Sequence, residues 1–200
     1  MIHELISRHM ESNVFILEDK TTVMVDAGLG LDEHILDYVK KKNLEIDLLI
    51  NTHCHIDHIG GDRFFETIAA SEKDAPDIKT GSWKTVAEWV FPSFQGFPVS
   101  KILVEGDVVE TGSFSLEIIE TPGHTEGSIC LYERKTKSLF SGDTVFRDGI
   151  GRMDLPTGSE DDMKASLERL LEFDIGTVYP GHGPLTTKDN IVKVLHYYFD

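Results

Sequence analysis

Cysteine is almost missing from this chain. Cys54 and Cys130 are the only two among 200 residues, and two cysteines so far apart give no disulfide framework. Missing too is any apolar run near the ~20 residues that span a bilayer. The N-terminus lacks the basic start, apolar centre and small-residue cleavage site of a secretory leader. A cytoplasmic location is therefore expected, with no membrane partner. Positive charge is the third shortage: 19 basic side chains stand against 35 acidic ones, a net charge of −16. Such a surface repels polyanions, so no nucleic-acid partner is expected. Linkers and low-complexity segments are absent as well. A hydrophobic content of 40% and a charged content of 27% suit a globular protein with a substantial core. One domain over residues 1–200 is the expectation.

Histidine, by contrast, is concentrated. Thr52-His53-Cys54-His55-Ile56-Asp57-His58-Ile59-Gly60-Gly61 carries three imidazoles and a carboxylate within six residues. It follows the apolar run 47–51, which reads as a buried strand. Neutral imidazole and carboxylate are ligands shared by zinc, iron and manganese, so a divalent metal is the first hypothesis. Alternation in an extended segment lets His53 and His55 face one ion. Asp57 and His58 then turn away toward a second. Cys54 should point to the opposite side as a small buried residue, and Cys130 reads as core.

Period-2 patterning predicts a hairpin of strands at 13–17 and 22–25, turning at Glu18-Asp19-Lys20. Asp32 is expected to cap a helix with Ile35, Leu36 and Val39 on one face and Lys40-Lys41-Lys42 at its end. Phe64, Phe65 and Ile68 suggest a short helix, and 71–90 is mostly helical by pattern. The aromatic, Pro/Gly-punctuated loop 91–98 is a candidate lid or pocket wall, with loop packing or an oligomer contact such as a homodimer as the alternative. Strands follow at 101–104, 113–121, 127–133 and 137–141. Ser159 and the acids after it cap a helix to about Phe173. A strand at 177–179 and a helix at 187–199 close the chain. Strands followed by helices, twice over, suggest an α/β protein of two similar β-rich halves with helices outside.

Three more polar residues each sit just past a strand beside glycine: His124 in Thr121-Pro122-Gly123-His124, Asp143 in Ser141-Gly142-Asp143 and His182 in Tyr179-Pro180-Gly181-His182. Their common context makes them candidate ligands. His3, His9, His34 and His196 match no motif, and surface or helix-packing roles suffice for them.

These motifs, in this order, resemble those of the metallo-β-lactamase superfamily over nearly the whole chain. The resemblance implies a four-layer αββα sandwich and two divalent ions per chain, zinc first, with iron or manganese as alternatives. It implies His53, His55 and His124 at the first site, Asp57, His58 and His182 at the second, and Asp143 bridging both. Gly142-Asp143-Thr144-Val145-Phe146 and Gly149-Ile150-Gly151-Arg152-Met153-Asp154-Leu155-Pro156 are most similar to glyoxalase II and its short relatives. Better-known β-lactamases have cysteine where Asp143 stands, so antibiotic hydrolysis is not expected.

The implied reaction is hydrolysis of a small-molecule thioester, as in hydroxyacylglutathione hydrolase, by a hydroxide shared between the ions, with Asp57 as catalytic orienter. Glyoxalase II carries a C-terminal helical domain that holds glutathione, for which this chain is too short, so looser selection of the thiol is expected. Arg147 and Arg152 are candidates for gripping a substrate carboxylate. The alternative reaction is that of a persulfide dioxygenase with one iron held by His53, His124 and Asp143, or by His55 with them. A phosphodiesterase or tRNA-processing nuclease is a third reading, disfavoured by the charge.

Overall fold

Strands covered on both faces read as unbroken apolar runs, and in this chain alternate residues of such runs enter different cores. The computed structural model describes residues 1–7, 10–31 and 34–200. Six strands form one sheet in the order β1 (Ile2–Leu5), β2 (Val14–Leu17), β3 (Val23–Val25), β4 (Leu48–Ile50), β5 (Ile68–Ser71) and β6 (Lys101–Leu103). The first three pair antiparallel and the rest parallel. The second sheet runs β11 (Thr177–Pro180), β10 (Ser138–Gly142), β9 (Ile129–Glu133), β8 (Ser115–Glu120) and β7 (Val108–Glu110). Only its β10–β11 pair is parallel.

Phe15, Leu17, Leu48 and Ile50 point inward to meet Leu116, Ile118, Leu131 and Phe140 of the facing sheet. Their neighbours Ile16 and Leu49 point outward, beneath α1 (His34–Lys42), α2 (Ile56–Ile59) and α3 (Ala75–Thr80). On the other side Cys130, Leu139 and Val178 lie beneath α4 (Glu160–Leu170) and α5 (Lys188–Phe199). The result is the αββα sandwich.

Local chemistry sets the ends of the elements. The Ser159 hydroxyl accepts the Asp162 N–H at the start of α4, as its sequence indicates. Lys40, Lys41 and Lys42 close α1. Its inner face carries Ile35, Tyr38 and Val39 rather than Leu36, and Asp32, its expected cap, lies outside the described residues. The main departure is at 64–90. Ile68 opens a strand, not a helix, because β5 must fill the gap between β4 and β6. Beyond it only α3 is helical. Gly81 (φ +59°) and Val86 (φ +50°) adopt left-handed backbone that stops helix growth, leaving single 3-10 turns at Trp83–Thr85 and Ala87–Trp89. Strands β1, β5 and β7 have no counterpart in the sequence reading.

Candidate metal centre

β4, β10 and β11 all end at one rim of the sandwich, and the loops leaving them carry the motif residues. His53 follows β4, and Asp57 and His58 lie in the single turn of α2. His124 is in the β8–β9 connection, Asp143 directly follows β10, and His182 follows β11. The structure brings all seven together in three overlapping groups: His53, His55 and His124; His53, His58 and Asp143; Asp57, His58 and His182. Within each, the ligand atoms lie within 4.8 Å of one another. Asp143 stands between the outer two groups. Its Oδ1 is 3.1 Å from His58 Nε2, and its Oδ2 is 3.4 Å from His124 Nε2 and 3.7 Å from His182 Nε2. Glycine permits this crowding: a Cβ on Gly181 would lie 2.3 Å from Asp143 Oδ1, and one on Gly142 2.5 Å from Thr52 Oγ1.

Hydrogen bonds behind the imidazoles fix which nitrogen faces the centre. His58 Nδ1 donates to Asp26 Oδ2 (2.8 Å), and His124 Nδ1 donates to the Arg152 carbonyl (2.7 Å). Thr52 Oγ1 donates to Asp26 Oδ2 (2.9 Å) and accepts from His53 Nδ1 (3.1 Å). The Nε2 atoms of His53, His58 and His124 are therefore all turned inward. His55 Nδ1 faces His124 Nε2 across 2.7 Å, and His182 Nε2 is 3.1 Å from Asp57 Oδ2. His53 Nε2 and Asp143 Oδ1 are buried without a hydrogen-bond partner. Convergent lone pairs and two carboxylates in a buried rim fit divalent cations.

The electrostatics agree. Burial, then the neighbouring imidazoles, pushes His53 well below its ordinary pKa, and burial with His124 brings His55 to about 3. Burial also lowers His124, so these three are neutral, as ligands must be. Burial opposes charge on His58 and His182 too, but Asp143 with Asp26 and Asp57 outweighs it at His58, and Asp143 with Asp57 at His182, raising both. Burial would raise Asp57 and Asp143, yet His58 and His182 hold both below the usual carboxylate range. The two carboxylates thus demand positive charge here.

Three supporting residues escaped the sequence reading. Asp26 orients His58 directly and His53 through Thr52. Its only sequence signal is a carboxylate ending the apolar run of β3. Asp74 Oδ2 accepts the Cys54 N–H (2.9 Å) and the Thr125 hydroxyl (2.8 Å), tying the His53–His55 loop to the His124 loop. Asn13 Nδ2 donates to the Pro180 and Gly183 carbonyls on either side of His182. Cys54 is buried among apolar neighbours, and burial with Asp74 raises its thiol pKa well above normal, so it is an inert packing group. Arg147 and Arg152 are exposed and paired to Asp148 and Asp154. Of the two, only Arg152 lines the cavity over the donors. The 91–97 loop walls a neighbouring 620 Å³ groove instead. His3 is a packing residue between Tyr38 and Glu18, and His196 pairs with Asp200 at the surface. His9 lies outside the described residues.

Fold and centre define a metal-dependent hydrolase with two adjoining sites for divalent ions. The chain belongs to the metallo-β-lactamase superfamily, whose family description matches residues 8–182. It is 37% identical to the probable metallo-hydrolase MJ0888 of Methanocaldococcus jannaschii, covering 92% of this chain and 94% of that one. It is 34% identical to the acyl-coenzyme A thioesterase MBLAC2 of Gallus gallus, covering 86% and 72%. Among solved structures, the B3 metallo-β-lactamase BLEG-1 superposes with a TM-score of 0.86 at 26% identity, covering both chains fully. TTHA1623 in a di-iron-bound form gives 0.81 at 27%, covering 96% and 98%. Among the described residues, no helix is long and apolar enough to cross a membrane.

Proposed function

We propose that this chain hydrolyses thioesters at a two-ion centre, in the manner of hydroxyacylglutathione hydrolase. The observation that carries the two-ion reading is the second donor group. His182 Nε2 stands 3.1 Å from Asp57 and 3.3 Å from His58 Nε2, an arrangement that a single iron held by His53, His124 and Asp143 has no use for. The relative TTHA1623, captured with two irons, supports it. The likeness to MBLAC2, an acyl-coenzyme A thioesterase, supports the thioester.

In this reading His53, His55 and His124 hold one ion, Asp57, His58 and His182 hold the other, and Asp143 serves both. Bound ions would supply a nucleophile from water near neutral pH and Lewis acidity for the carbonyl oxygen. Asp57, partly exposed to the cavity, orients the attacking water through the carboxylate oxygen not turned to His182. Arg152, at the cavity wall, can exchange Asp154 for an anionic group of the substrate. The unpaired, buried cysteines favour a reducing, cytoplasmic setting.

The test is thiol release from hydroxyacyl-glutathione and acyl-coenzyme A esters after loading with zinc, iron or manganese. Nitrocefin, a phosphodiester, and glutathione persulfide with an oxygen electrode complete the panel, the first because of the likeness to BLEG-1. His182→Ala separates the two leading readings. It should cut bound metal from two ions to one and lower kcat for the thioester by roughly 10²-fold, the scale of losing one electrostatic stabiliser. Full activity with one ion per chain would overturn the two-ion mechanism.

A further inference from the structure

The cavity over the donor groups has a polar floor and apolar walls. His55, Asp57, His124, Asp143 and His182 form the floor. Leu29, Trp89, Val90, Phe146, Ile150 and Leu155 make most of the wall, and Arg152 is the one lysine or arginine among its described lining residues. Two of these side chains are turned out toward solvent: Trp89 is 63% exposed and Val90 37%. Large apolar groups gathered at the mouth of a reactive centre mark a binding surface, unlike the same groups scattered singly.

The segment that carries Trp89 and Val90 is anchored at its base. Val86, at φ +50°, lines the cavity in a backbone conformation that β-branched residues avoid. Ala87 then anchors the next turn in the outer core, so Trp89 projects from a fixed base. Val90 is shared with the adjoining groove lined by Phe91, Phe94 and Phe97.

Resting on the thioester reading above, we propose that the acyl arm of the substrate is an apolar alkyl chain seated against Trp89, Leu29 and Val90, rather than a small hydroxyacyl group. The cavity volume, 320 Å³, bounds the length from above. At roughly 30 Å³ per water-sized group it takes about ten such groups. Once the thioester head is placed, at most about six remain for methylenes. A small hydroxyacyl arm would stay at the polar floor and leave the Trp89 wall wet.

The experiment uses the zinc-loaded protein and a series of acetyl, butanoyl, hexanoyl and octanoyl thioesters of one thiol, N-acetylcysteamine, with the lactoyl ester beside them. Burying each methylene should raise kcat/KM about threefold to fourfold up to hexanoyl or octanoyl, with lactoyl below butanoyl. Trp89→Ala should lower octanoyl turnover about tenfold. Trp83→Phe, an exposed position outside the cavity, should leave the series as it is. Trp83 and Trp89 are the only tryptophans, so Trp83→Phe also makes Trp89 emission a direct reporter. The non-hydrolysable S-octyl thioether should shift that emission, and the S-methyl one should not.

A flat chain-length series with good acetyl turnover would overturn the apolar arm and leave thioester hydrolysis standing. No turnover of any ester would overturn the thioester reading. The thioether titration would then still decide the apolar site, and an unmoved emission would reject it.

Discussion

Asp26 holds φ at +58°, a left-handed backbone that costs of order 1 kcal/mol, and the return is the aim of its carboxylate. Oδ1 accepts the Thr52 N–H (2.8 Å), while Oδ2 takes the Thr52 hydroxyl and the His58 imidazole. One buried residue therefore presets two candidate ligands. Asp26→Asn places an amide where His58 Nδ1 needs an acceptor. If that amide's N–H₂ turns to His58, the imidazole becomes an acceptor at Nδ1 and carries its proton on Nε2, facing the metal. Affinity at the second site should fall 10- to 100-fold, read as chelator competition on the zinc-loaded variant. Affinity equal to that of the parent protein would refute this role. The local sequence offers no more than a carboxylate ending β3, because Asp26 and His58 meet only when β3 and β4 pair.

At the scale of elements, the centre is an assembly of loops from both sheets, and Asp74 at the start of α3 is one of its ties. Burial raises its pKa to about 6, although hydrogen bonds from Thr125 and Cys54 pull the other way. In the unfolded chain it ionises near 3.8. Between those values the folded state keeps a proton that the unfolded state has lost. The stability linked to Asp74 is therefore full below about pH 4 and is lost as pH rises through 6, amounting to about 3 kcal/mol. Asp74→Asn keeps a neutral group with one acceptor and should remove this dependence. Urea unfolding of the metal-free proteins at pH 4.5 and 7.5 measures it: the gap between parent and variant should move in the variant's favour at the higher pH. A constant gap would rule the linkage out. The cap of α4 and the lysines of α1 were legible in sequence because a helix end is a local event. The 64–90 stretch was not, since β5 owes its existence to strands on either side of it, and Gly81 and Val86 act through backbone conformation rather than composition.

For the whole molecule, the relevant fact is that two halves meet at a rim crowded with carboxylates and inward-turned imidazoles. Asn13, just before β2 of the first sheet, holds the His182 loop of the second, so the cations would cross-link the sandwich as well as serve chemistry. Stripping them should lower Tm. An ion present at 100 times its Kd contributes about 2.7 kcal/mol, which in a chain of this size is roughly 5 to 10 °C per site. Differential scanning calorimetry with and without a chelator, followed by stepwise zinc return, should show two increments. A Tm unchanged by complete chelation would mean the sandwich closes without its ions.

The sequence by itself determined the metal chemistry and the architecture that houses it. Three imidazoles and a carboxylate in six residues, followed by His124, Asp143 and His182 each beside a glycine, define donor type and number. Strands followed by helices, twice over, indicate two β-rich halves with helices outside, and the resemblance carried by the motifs supplies the four-layer sandwich. The donors and the order of elements are properties of composition and short-range spacing, which a chain carries whether or not it is folded. The tertiary structure alone decided which nitrogen of each imidazole faces inward, because that depends on Asp26, Thr52 and a carbonyl at Arg152, brought in from other strands and loops. It alone placed Trp89 and Val90 over the donors while seating the neighbouring aromatic loop beside them. Both depend on long-range packing, where residues far apart in sequence share one low-dielectric space and each sets the hydrogen bonds and exposure of the others.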